Sequence, residues 1–525
     1  MPEVAVLGRA PRYEGVFVLA TYVGAAWAGS RLLGPDRTDS QTTTALRVLA
    51  GVALLVGLFA ILEATGLRPL STNVSRPGSL LGNASDEGTV GVLCFAPLFA
   101  AALRRRAAAT GLGAAAAAVV TVLSASRGAL LALAAEVVII AVLLGGRKAL
   151  AACIASVVLV AGLTFAVPAT RHRVLGTSAL AGHTVTGRGL LWRETLSLDA
   201  AHLALGVGPS NYKTAIIAEH SREWQQKVGP EEPPDSPHSI PLQALSVGGL
   251  PLLLAFVLLC GLVTLVGGRE AWRSRRKSVP FEVGAFTALI GYGLSSMVGL
   301  TSPGPTLLAS AFLGITLSTR PIAVRRDRGD AAIGTAFLAL AAIFLLAAVA
   351  EIPLRHAVIQ VGRGNPAGAA RDFTAARVLR PWDVDLPDVA AHAFITYGIT
   401  TNNSDAISQA DSWFTRIPAE LRRRDEQVEL DHASIAEAHA DYAAAAQLLT
   451  TLLARDRDNP AILLQRGVVE AEAGENTSAE RDFKVAAAVA PTDPGPWQDL
   501  ATLYRTEGNL RAAQRAQAQA SLLAQ

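Results

Sequence analysis

The chain has 525 residues, of which 51% are hydrophobic and 17% are charged, and its mean hydropathy is +0.36. Charged residues are sparse before residue 350 and dense after it, which indicates a membrane half followed by a soluble half. The net charge of +3 is spread along the chain and argues against nucleic-acid binding, which needs clustered Lys and Arg. The three cysteines lie in separate apolar runs and are typical of buried hydrophobic residues rather than of disulfides or metal ligands.

The first 350 residues contain about ten apolar segments long enough to cross a bilayer as a helix. They are predicted near residues 14–33, 45–62, 88–103, 107–123, 128–144, 149–167, 239–266, 281–300, 303–318 and 331–350. Two of them, 88–103 and 303–318, are short and contain proline, which favours tilted, kinked or re-entrant segments. The predicted fold class is all-α, with a polytopic membrane helix bundle in residues 1–350.

Four basic clusters predict the orientation of this bundle, because Lys and Arg are retained on the cytoplasmic side of a membrane. They lie at residues 104–106, 147–148, 269–277 and 320–328. The outer side is then predicted to hold everything after residue 350 and the loops at residues 73–87, 124–127, 168–237 and 301–304. The same alternation puts the N-terminus outside, although Arg9 and Arg12 precede the first span, and it leaves open whether further spans precede residue 1.

After residue 350 the sequence becomes Ala-rich, charged and amphipathic, and a repeat of 34 residues is visible. Pro460 recurs as Pro494, and Gly474 recurs as Gly508. This is the tetratricopeptide period, in which helix–turn–helix units stack into a solenoid. We assign residues 426–525 to tetratricopeptide repeats and 351–425 to a linker with degenerate helical repeats. The concave surface of such a solenoid predicts a protein partner, and a simple scaffold or cap is the alternative.

The interval 168–237 is the one long polar interval between apolar segments, and a large loop in this position usually has a function. Arg127 lies at the predicted outer mouth of a span, where its planar set of donors suits phosphate oxygens. Snorkelling of the side chain is the alternative. His238 lies where the loop returns to the membrane, and a lone His there is more often an interfacial residue than a general base.

Two further motifs favour structural roles. Gly206-Val207-Gly208 has no third glycine and no preceding strand, so a turn is favoured over a nucleotide site. Asp383-Val384-Asp385 resembles a metal-binding Asp-x-Asp motif of nucleotide-sugar transferases. It lies in a Pro-rich helical linker, which favours solvated loop charges instead.

Taken in order, the motifs between roughly residues 65 and 318 resemble those of the O-antigen ligase and O-antigen polymerase superfamily of bacterial membrane glycosyltransferases. The motifs are Arg76-Pro77-Gly78 with Asn83, Ser126-Arg127-Gly128, Gly187-Arg188 with Trp192, Gly206-Val207-Gly208 with Tyr212, and His238 followed by Gly248-Gly249-Leu250. Each motif is weak alone, and the resemblance depends on the ordered set.

This resemblance implies a glycan transferase. A single in-line displacement would invert the sugar carbon, and no divalent metal or other cofactor is required if two arginines supply the positive charge. The transferase would move a glycan from a polyprenyl-diphosphate donor to an acceptor hydroxyl on the outer face of the bacterial plasma (inner) membrane. Arg76, Arg127 and Arg188 are assigned by the resemblance to the diphosphate, and His238 is assigned to activation of the acceptor hydroxyl. The chain departs from the family pattern at Ser239, where Asn is usual, and family members usually have several more spans before the matched region.

The acceptor stays open at this point. If the acceptor is a lipid anchor, the protein is a ligase. If it is another repeat unit, the protein is a polymerase, and if it is a protein hydroxyl, the protein is a protein O-oligosaccharyltransferase. The expected partners are the lipid-linked glycan donor, a glycan, lipid or protein acceptor, membrane lipids, and a protein bound through the repeats. A different class is a non-catalytic scaffold of envelope glycan assembly, in which the repeats are the active part.

Overall fold

The computed structural model describes residues 8–9, 14–67, 78, 80–105, 107–175, 179–229, 234–299, 302–318 and 328–524. Within these residues all regular secondary structure is helical, with no β-strand, which confirms the predicted all-α fold class. The α-helices of the described residues up to residue 362 are, in chain order, α1 Val16–Leu32, α2 Asp39–Ala64, α3 Ala84–Arg105, α4 Ala108–Leu123, α5 Arg127–Leu144, α6 Arg147–Ala166, α7 Pro168–Val174, α8 Ala179–Ala201, α9 Tyr212–Ile216, α10 Arg222–Lys227, α11 Ile240–Leu262, α12 Gly268–Ser274, α13 Phe281–Ser296, α14 Pro303–Leu317 and α15 Arg328–Gly362.

Each of the ten predicted spans coincides with one long helix of this set. Six helical segments are long and apolar enough to cross a membrane, namely Asp39–Ala64, Ala84–Arg104, Arg127–Leu144, Ala149–Ala166, Ile240–Ser274 and Gly334–Gly362. Helices α1, α4 and α14 are apolar but shorter, and α13 has 16 residues. These helices form a membrane bundle.

Helix α3 is the centre of the bundle, since 83% of its spanning window is buried. It packs against α4, α5 and α13. Lipid tails are as apolar as the helix surfaces, so close packing of small residues has to hold such helices together. Two glycines permit such close packing: Gly284 of α13 lies against Pro97 of α3, and Gly314 of α14 lies against the backbone of Ala26 in α1.

We expect Gly314→Ala to destabilise the bundle by about 1–3 kcal/mol, because the added methyl group would overlap the carbonyl oxygen of Ala26. Gly162→Ala is the matched control, since a Cβ there meets no atom within 4 Å. At Gly162 the gain in helix propensity should leave stability unchanged or raise it by up to about 1 kcal/mol. Thermal unfolding of both variants in one detergent measures the difference, and equal melting temperatures would contradict this packing.

The bundle has two polar ends, and the predicted cytoplasmic loops meet at one of them. Arg104 donates hydrogen bonds to the carbonyl oxygens of Leu144 and Arg275 at 3.1 and 3.0 Å. Arg37 forms an ion pair of 2.6 Å with Glu282 at the start of α13. Three of the four predicted basic clusters therefore belong to the same end as the turn between α1 and α2.

The opposite end carries residues 168–237, which we call the loop lobe, and the C-terminal helices. Arg127 in the first turn of α5 contacts Arg173 of the loop lobe, and Gln225 of the loop lobe contacts Asp456 of the C-terminal helices. The loop lobe and the residues after 350 thus share one side of the bundle, as the basic clusters predict. Arg9 lies on this side too, because it pairs with Asp385 and Asp425.

The C-terminal helices form stacked antiparallel pairs. They are α16 Pro366–Leu379, α17 Leu386–Thr401, α18 Ser404–Phe414, α19 Leu421–Arg424, α20 Glu426–Ala438, α21 Tyr442–Arg455, α22 Pro460–Glu472, α23 Asn476–Val489, α24 Gly495–Thr506 and α25 Leu510–Leu523. Helices α21, α23 and α25 begin 34 residues apart, and Gly474 and Gly508 both adopt the left-handed backbone conformation in the turns before α23 and α25. This is the tetratricopeptide arrangement that the sequence period predicts.

Packing of the C-terminal helices begins inside α15. Ala357 and Val361 in the last turns of α15 share a hydrophobic core with Phe373 of α16 and Phe394 of α17. The sequence-based boundary at residue 350 lies within this continuous helix, which connects the bundle to the solenoid.

Candidate functional site

The loop lobe has a hydrophobic core of its own. Its buried members come from α8, α9 and α10 and are Leu190, Leu191, Leu198, Tyr212, Ile216 and Trp224. Glu194 of α8 ties α10 to this core, because it accepts hydrogen bonds from the Ser221 backbone N–H at 2.9 Å and from the Ser221 hydroxyl at 2.7 Å. The polar interval between spans is therefore a folded unit that can hold side chains in fixed places.

Arg127 is positioned by the start of α5. Ser126 is the N-cap residue, and its hydroxyl oxygen accepts the Ala129 backbone N–H at 3.4 Å. The guanidinium of Arg127 donates from Nε, at 3.0 Å, and from Nη2 to the carbonyl oxygen of Arg173, in the last turn of α7. The Arg at the mouth of the span thus reaches the loop lobe.

Arg127, Arg173 and Arg188 form what we call the arginine cluster. Burial and the charge of Arg127 lower the pKa of Arg173. Burial, followed by the charges of Arg173 and Arg127, lowers the pKa of Arg188. The three guanidinium groups are thus close enough to repel one another.

No member of the arginine cluster forms an ion pair with a carboxylate among the residues that the structure describes. Like charges brought together in a partly buried place repel one another unless an anion compensates them. Guanidinium groups match phosphate oxygens in charge and in the geometry of their donors. The cluster is therefore a candidate binding site for a phosphate-bearing ligand.

His238 lies in the segment that leads into α11 and has a left-handed backbone, with φ of +52°. Its backbone N–H donates to the hydroxyl of Ser236 at 3.2 Å. The indole Nε1 of Trp192 donates to the carbonyl oxygen of Pro237 at 2.8 Å. Non-glycine residues in this backbone region cost about 1–3 kcal/mol and persist where the surroundings hold them, often at functional sites.

Trp192 connects His238 to the arginine cluster. It lies four residues after Arg188 in α8, so the two side chains are neighbours on one face of that helix. The hydrogen bond from Trp192 holds the backbone directly before His238 against this face. Arg127, Arg188 and His238, which the sequence predicts as site residues, are thus linked within one region, through Arg173 and Trp192.

The turn Gly206-Val207-Gly208 pairs with a break in α11. The backbone N–H groups of Val207 and Gly208 donate to the carbonyl oxygens of Ser246 and Val247 at 2.7 and 3.1 Å. In the other direction, Leu250 N–H donates to the carbonyl oxygen of Leu203 at 2.8 Å. The prediction of a turn at residues 206–208 agrees with this geometry.

The break itself follows from Gly249 and Pro251. Gly249 has φ of +63° and ψ of −161°, a conformation open essentially only to glycine. Pro251 has no N–H and its ring would clash with the carbonyl of Val247 in a regular helix. Unpaired backbone groups are costly at the edge of a bilayer, and the turn at residues 206–208 satisfies those that the break exposes.

Asp199 of α8 forms a further contact with α11, close to the turn at residues 206–208. Its Oδ1 accepts a hydrogen bond of 2.7 Å from the hydroxyl of Ser246. Burial raises the pKa of Asp199 to about 6, although the Ser246 hydrogen bond and His202 act in the opposite direction. The folded protein therefore binds a proton here that the unfolded chain, with a carboxyl pKa near 3.8, releases.

We expect the contribution of Asp199 to the stability of the protein to fall by up to about 3 kcal/mol as the pH rises from about 4 to about 6, through the pKa values of the unfolded and folded states. Asp199→Asn, a neutral isostere of the protonated carboxyl, should remove this part of the pH dependence. Melting temperatures between pH 4.5 and 8 test it, with exposed Asp405→Asn as the control. An unchanged pH profile in Asp199→Asn would contradict the raised pKa.

Arg76 lies outside the described residues, so its predicted role in the same site stays a prediction. The sequence analysis missed Arg173, which looks like part of an ordinary charged run after a span, Arg171-His172-Arg173. It also missed the pairing of the Gly206 turn with α11, for which Gly248-Gly249 followed by Pro251 within an apolar segment was an available signal. Among the described residues, no three His, Cys, Asp or Glu side chains are arranged to hold a metal ion.

Comparison with known protein families identifies this region. Residues 112–257 match the family model described as O-antigen ligase. The chain carries an O-antigen ligase domain. The matched residues include the arginine cluster, Trp192, His238 and the break at Gly249.

Solved structures similar to the chain are tetratricopeptide proteins. A thermophilic tetratricopeptide protein from Thermus thermophilus has 22% identity and a TM-score of 0.26, and the match covers 33% of this chain and 89% of that protein. MamA MSR-1 has 18% identity and a TM-score of 0.26, over 33% of this chain and 95% of that protein. No curated protein shows significant sequence similarity to the chain.

Proposed function

We propose that the protein is a glycosyltransferase that moves a glycan from a polyprenyl-diphosphate donor to an acceptor hydroxyl on the outer face of the bacterial plasma membrane. Residues 1–350 would carry the reaction, with the loop lobe and the solenoid outside the cell membrane. The observation that supports this most is the arginine cluster, three guanidinium groups within an O-antigen ligase domain and beside a membrane bundle.

The arginine cluster suits the charge that develops in this reaction. When the bond between the sugar and the diphosphate breaks, its electron pair goes to the phosphate oxygen, which becomes negative. Fixed guanidinium groups stabilise this leaving group more in the transition state than in the ground state. Arg127 and Arg188 would bind the diphosphate, and Arg173 adds a third positive charge beside them.

His238 would accept the proton of the acceptor hydroxyl. The hydroxyl oxygen attacks the anomeric carbon on the side opposite the diphosphate, so a new C–O bond forms as the old one breaks and the sugar carbon inverts. The proton then passes from the imidazole to solvent or to the released diphosphate. Where this chain has Ser239 in place of the usual Asn, Ser236 and Trp192 supply hydrogen bonds to the backbone that carries His238.

We expect His238→Ala to reduce glycan transfer by about 10²–10⁴-fold, the usual contribution of a general base. Arg188→Ala should reduce it by about 10²–10³-fold, because it removes a charge that stabilises the leaving group. The measurement is transfer by membranes from a deletion host that contain each variant at wild-type level. Normal transfer in either variant would refute the assignment.

Arg193→Ala is the matched control for Arg188→Ala. Arg193 lies on the same helix, its side chain is 59% exposed, and it pairs with Glu223, which is exposed as well. Its loss should change transfer by less than about twofold, since exposed ion pairs contribute little.

We expect Trp192→Phe to lower transfer by about tenfold with little change in binding of the donor. Phenylalanine keeps an aromatic ring but cannot donate to Pro237, so the carbonyl loses a hydrogen bond of about 1 kcal/mol and the His238 segment is held less firmly. A lower kcat with an unchanged KM for the donor is the expected pattern. A changed KM with an unchanged kcat would show that Trp192 serves binding instead.

The product that a deletion strain lacks distinguishes the acceptors. Accumulation of full-length polymer on the lipid carrier would identify a ligase, and accumulation of single repeat units would identify a polymerase. Loss of glycan from proteins, with envelope glycans intact, would identify a protein O-oligosaccharyltransferase. Wild-type glycan on lipid, polymer and protein would favour the non-catalytic scaffold.

A further inference from the structure

One side of the solenoid carries three buried carboxylates at positions where its helices begin. Asp385 and Asp425 directly precede α17 and α20, and Asp456 lies in the turn between α21 and α22. Each is 5% exposed or less. We call these three residues the solenoid edge. The prediction that Asp383 and Asp385 are solvated loop charges is wrong, because both are buried, Asp383 in an ion pair with Arg380 and Asp385 in one with Arg9.

Arg9 lies between two of the three carboxylates. Its Nε is 2.7 Å from Asp385 and its Nη1 is 2.5 Å from Asp425, and its backbone N–H reaches the hydroxyl of Ser210 in the loop lobe at 3.4 Å. Burial by itself would raise the pKa of Asp425, but the charges of Arg9 and Lys213 hold it below its ordinary value. The positive groups of this contact thus match the negative groups of the edge.

A second contact lies one repeat further along the solenoid. Gln225 of α10 donates from Nε2 to both carboxylate oxygens of Asp456 at 3.0 Å, and Gln225 is 3% exposed. Next to it, Arg222 donates to the carbonyl oxygen of Ala488 at 3.2 Å. Two separate parts of the loop lobe, the Ser210–Lys213 segment and α10, therefore bind successive repeats.

Both contacts involve residues that directly follow buried aromatic members of the loop-lobe core. Trp224 precedes Gln225, Tyr212 precedes Lys213, and both aromatic side chains are buried in the core that contains Leu190 and Leu191 of α8. Helix α8 also carries Arg188 and Trp192. A close-packed core transmits displacement, so a shift of α10 on the solenoid moves the helix that carries Arg188.

We propose that the solenoid edge is a binding surface for the loop lobe of the same chain and that this contact positions Arg188 and His238 for glycan transfer. The binding part stands on the buried contacts alone, and the positioning part rests on the proposed function. Arg9, Asp425, Gln225 and Asp456 are positioning residues, since none of them touches the site of transfer. A partner protein cannot occupy this edge while the loop lobe is bound to it.

The binding part is tested by cysteine cross-linking between the two surfaces. In the full chain with the three native cysteines replaced by alanine, Gln225→Cys with Asp456→Cys should be joined by a short bismaleimide cross-linker, detected as a linked peptide pair by mass spectrometry. Gln225→Cys with Arg505→Cys is the control, because Arg505 is exposed in the last repeat. No linked pair at 225 and 456, or equal linkage in the control, would overturn the proposal whatever the protein catalyses.

The positioning part is tested by charge reversal. Arg9→Asp and Asp425→Arg should each lower kcat for transfer by at least about tenfold, because each leaves a buried charge without its partner. The double variant Arg9→Asp with Asp425→Arg should transfer at least about threefold faster than either single variant, since it restores opposite charges at one of the two ion pairs of Arg9. Arg424→Glu, next to Asp425 but 63% exposed, is the control and should keep wild-type transfer.

The results separate this proposal from the proposed function. Single variants that transfer at the wild-type rate, or a double variant that recovers nothing, would overturn the positioning role even if the cross-link forms. If the wild-type protein transfers no glycan but the cross-link forms, the proposed function fails and the binding surface stands. Linked cysteines together with impaired single variants and a recovered double variant are the expected outcome.

Discussion

The rest of this site depends on one constraint. Three positive charges lie close together, and none of them forms an ion pair with a carboxylate of the described residues. Two like charges about 4 Å apart near a protein surface repel by an amount on the order of 1–4 kcal/mol. The fold has to supply that free energy from other contacts. Arg127, Arg173 and Arg188 come from α5, α7 and α8, so the cluster persists only if the loop lobe is held firmly against the bundle.

Backbone hydrogen bonds hold the loop lobe in that position. The break in α11 at Gly249 exposes peptide groups beside an apolar helix, and the turn at Gly206 satisfies them. The hydrogen bond between Asp199 and Ser246 reinforces the same junction. Such groups are expensive to leave unpaired, so the irregular helix and the loop turn stabilise each other. The solenoid then holds the opposite side of the loop lobe through Arg9 and Gln225.

Much of the fold could be predicted because its causes are local. Apolar runs of sufficient length become helices in the places expected, and the period of 34 residues reappears in the starts of α21, α23 and α25. The prediction that Asp385 is a solvated loop charge was wrong for a physical reason. A carboxylate in a Pro-rich linker looks exposed unless the distant partner that covers it, here Arg9, is known. Arg173 was missed because nothing in its neighbouring residues distinguishes it from other loop arginines.

The sequence by itself determined which segments are helical, which side the basic loops share, and that Arg127, Arg188 and His238 are the residues to examine. The length of an apolar segment and the types of its residues are local properties, so they can be read directly from the sequence. Only the tertiary structure decided that Arg173 joins the two predicted arginines and that Trp192 links His238 to Arg188 through Pro237. It also decided that the acidic edge of the solenoid binds the chain's own loop lobe. These outcomes depend on contacts between residues up to 416 positions apart, as for Arg9 and Asp425, and no local pattern specifies such a pair.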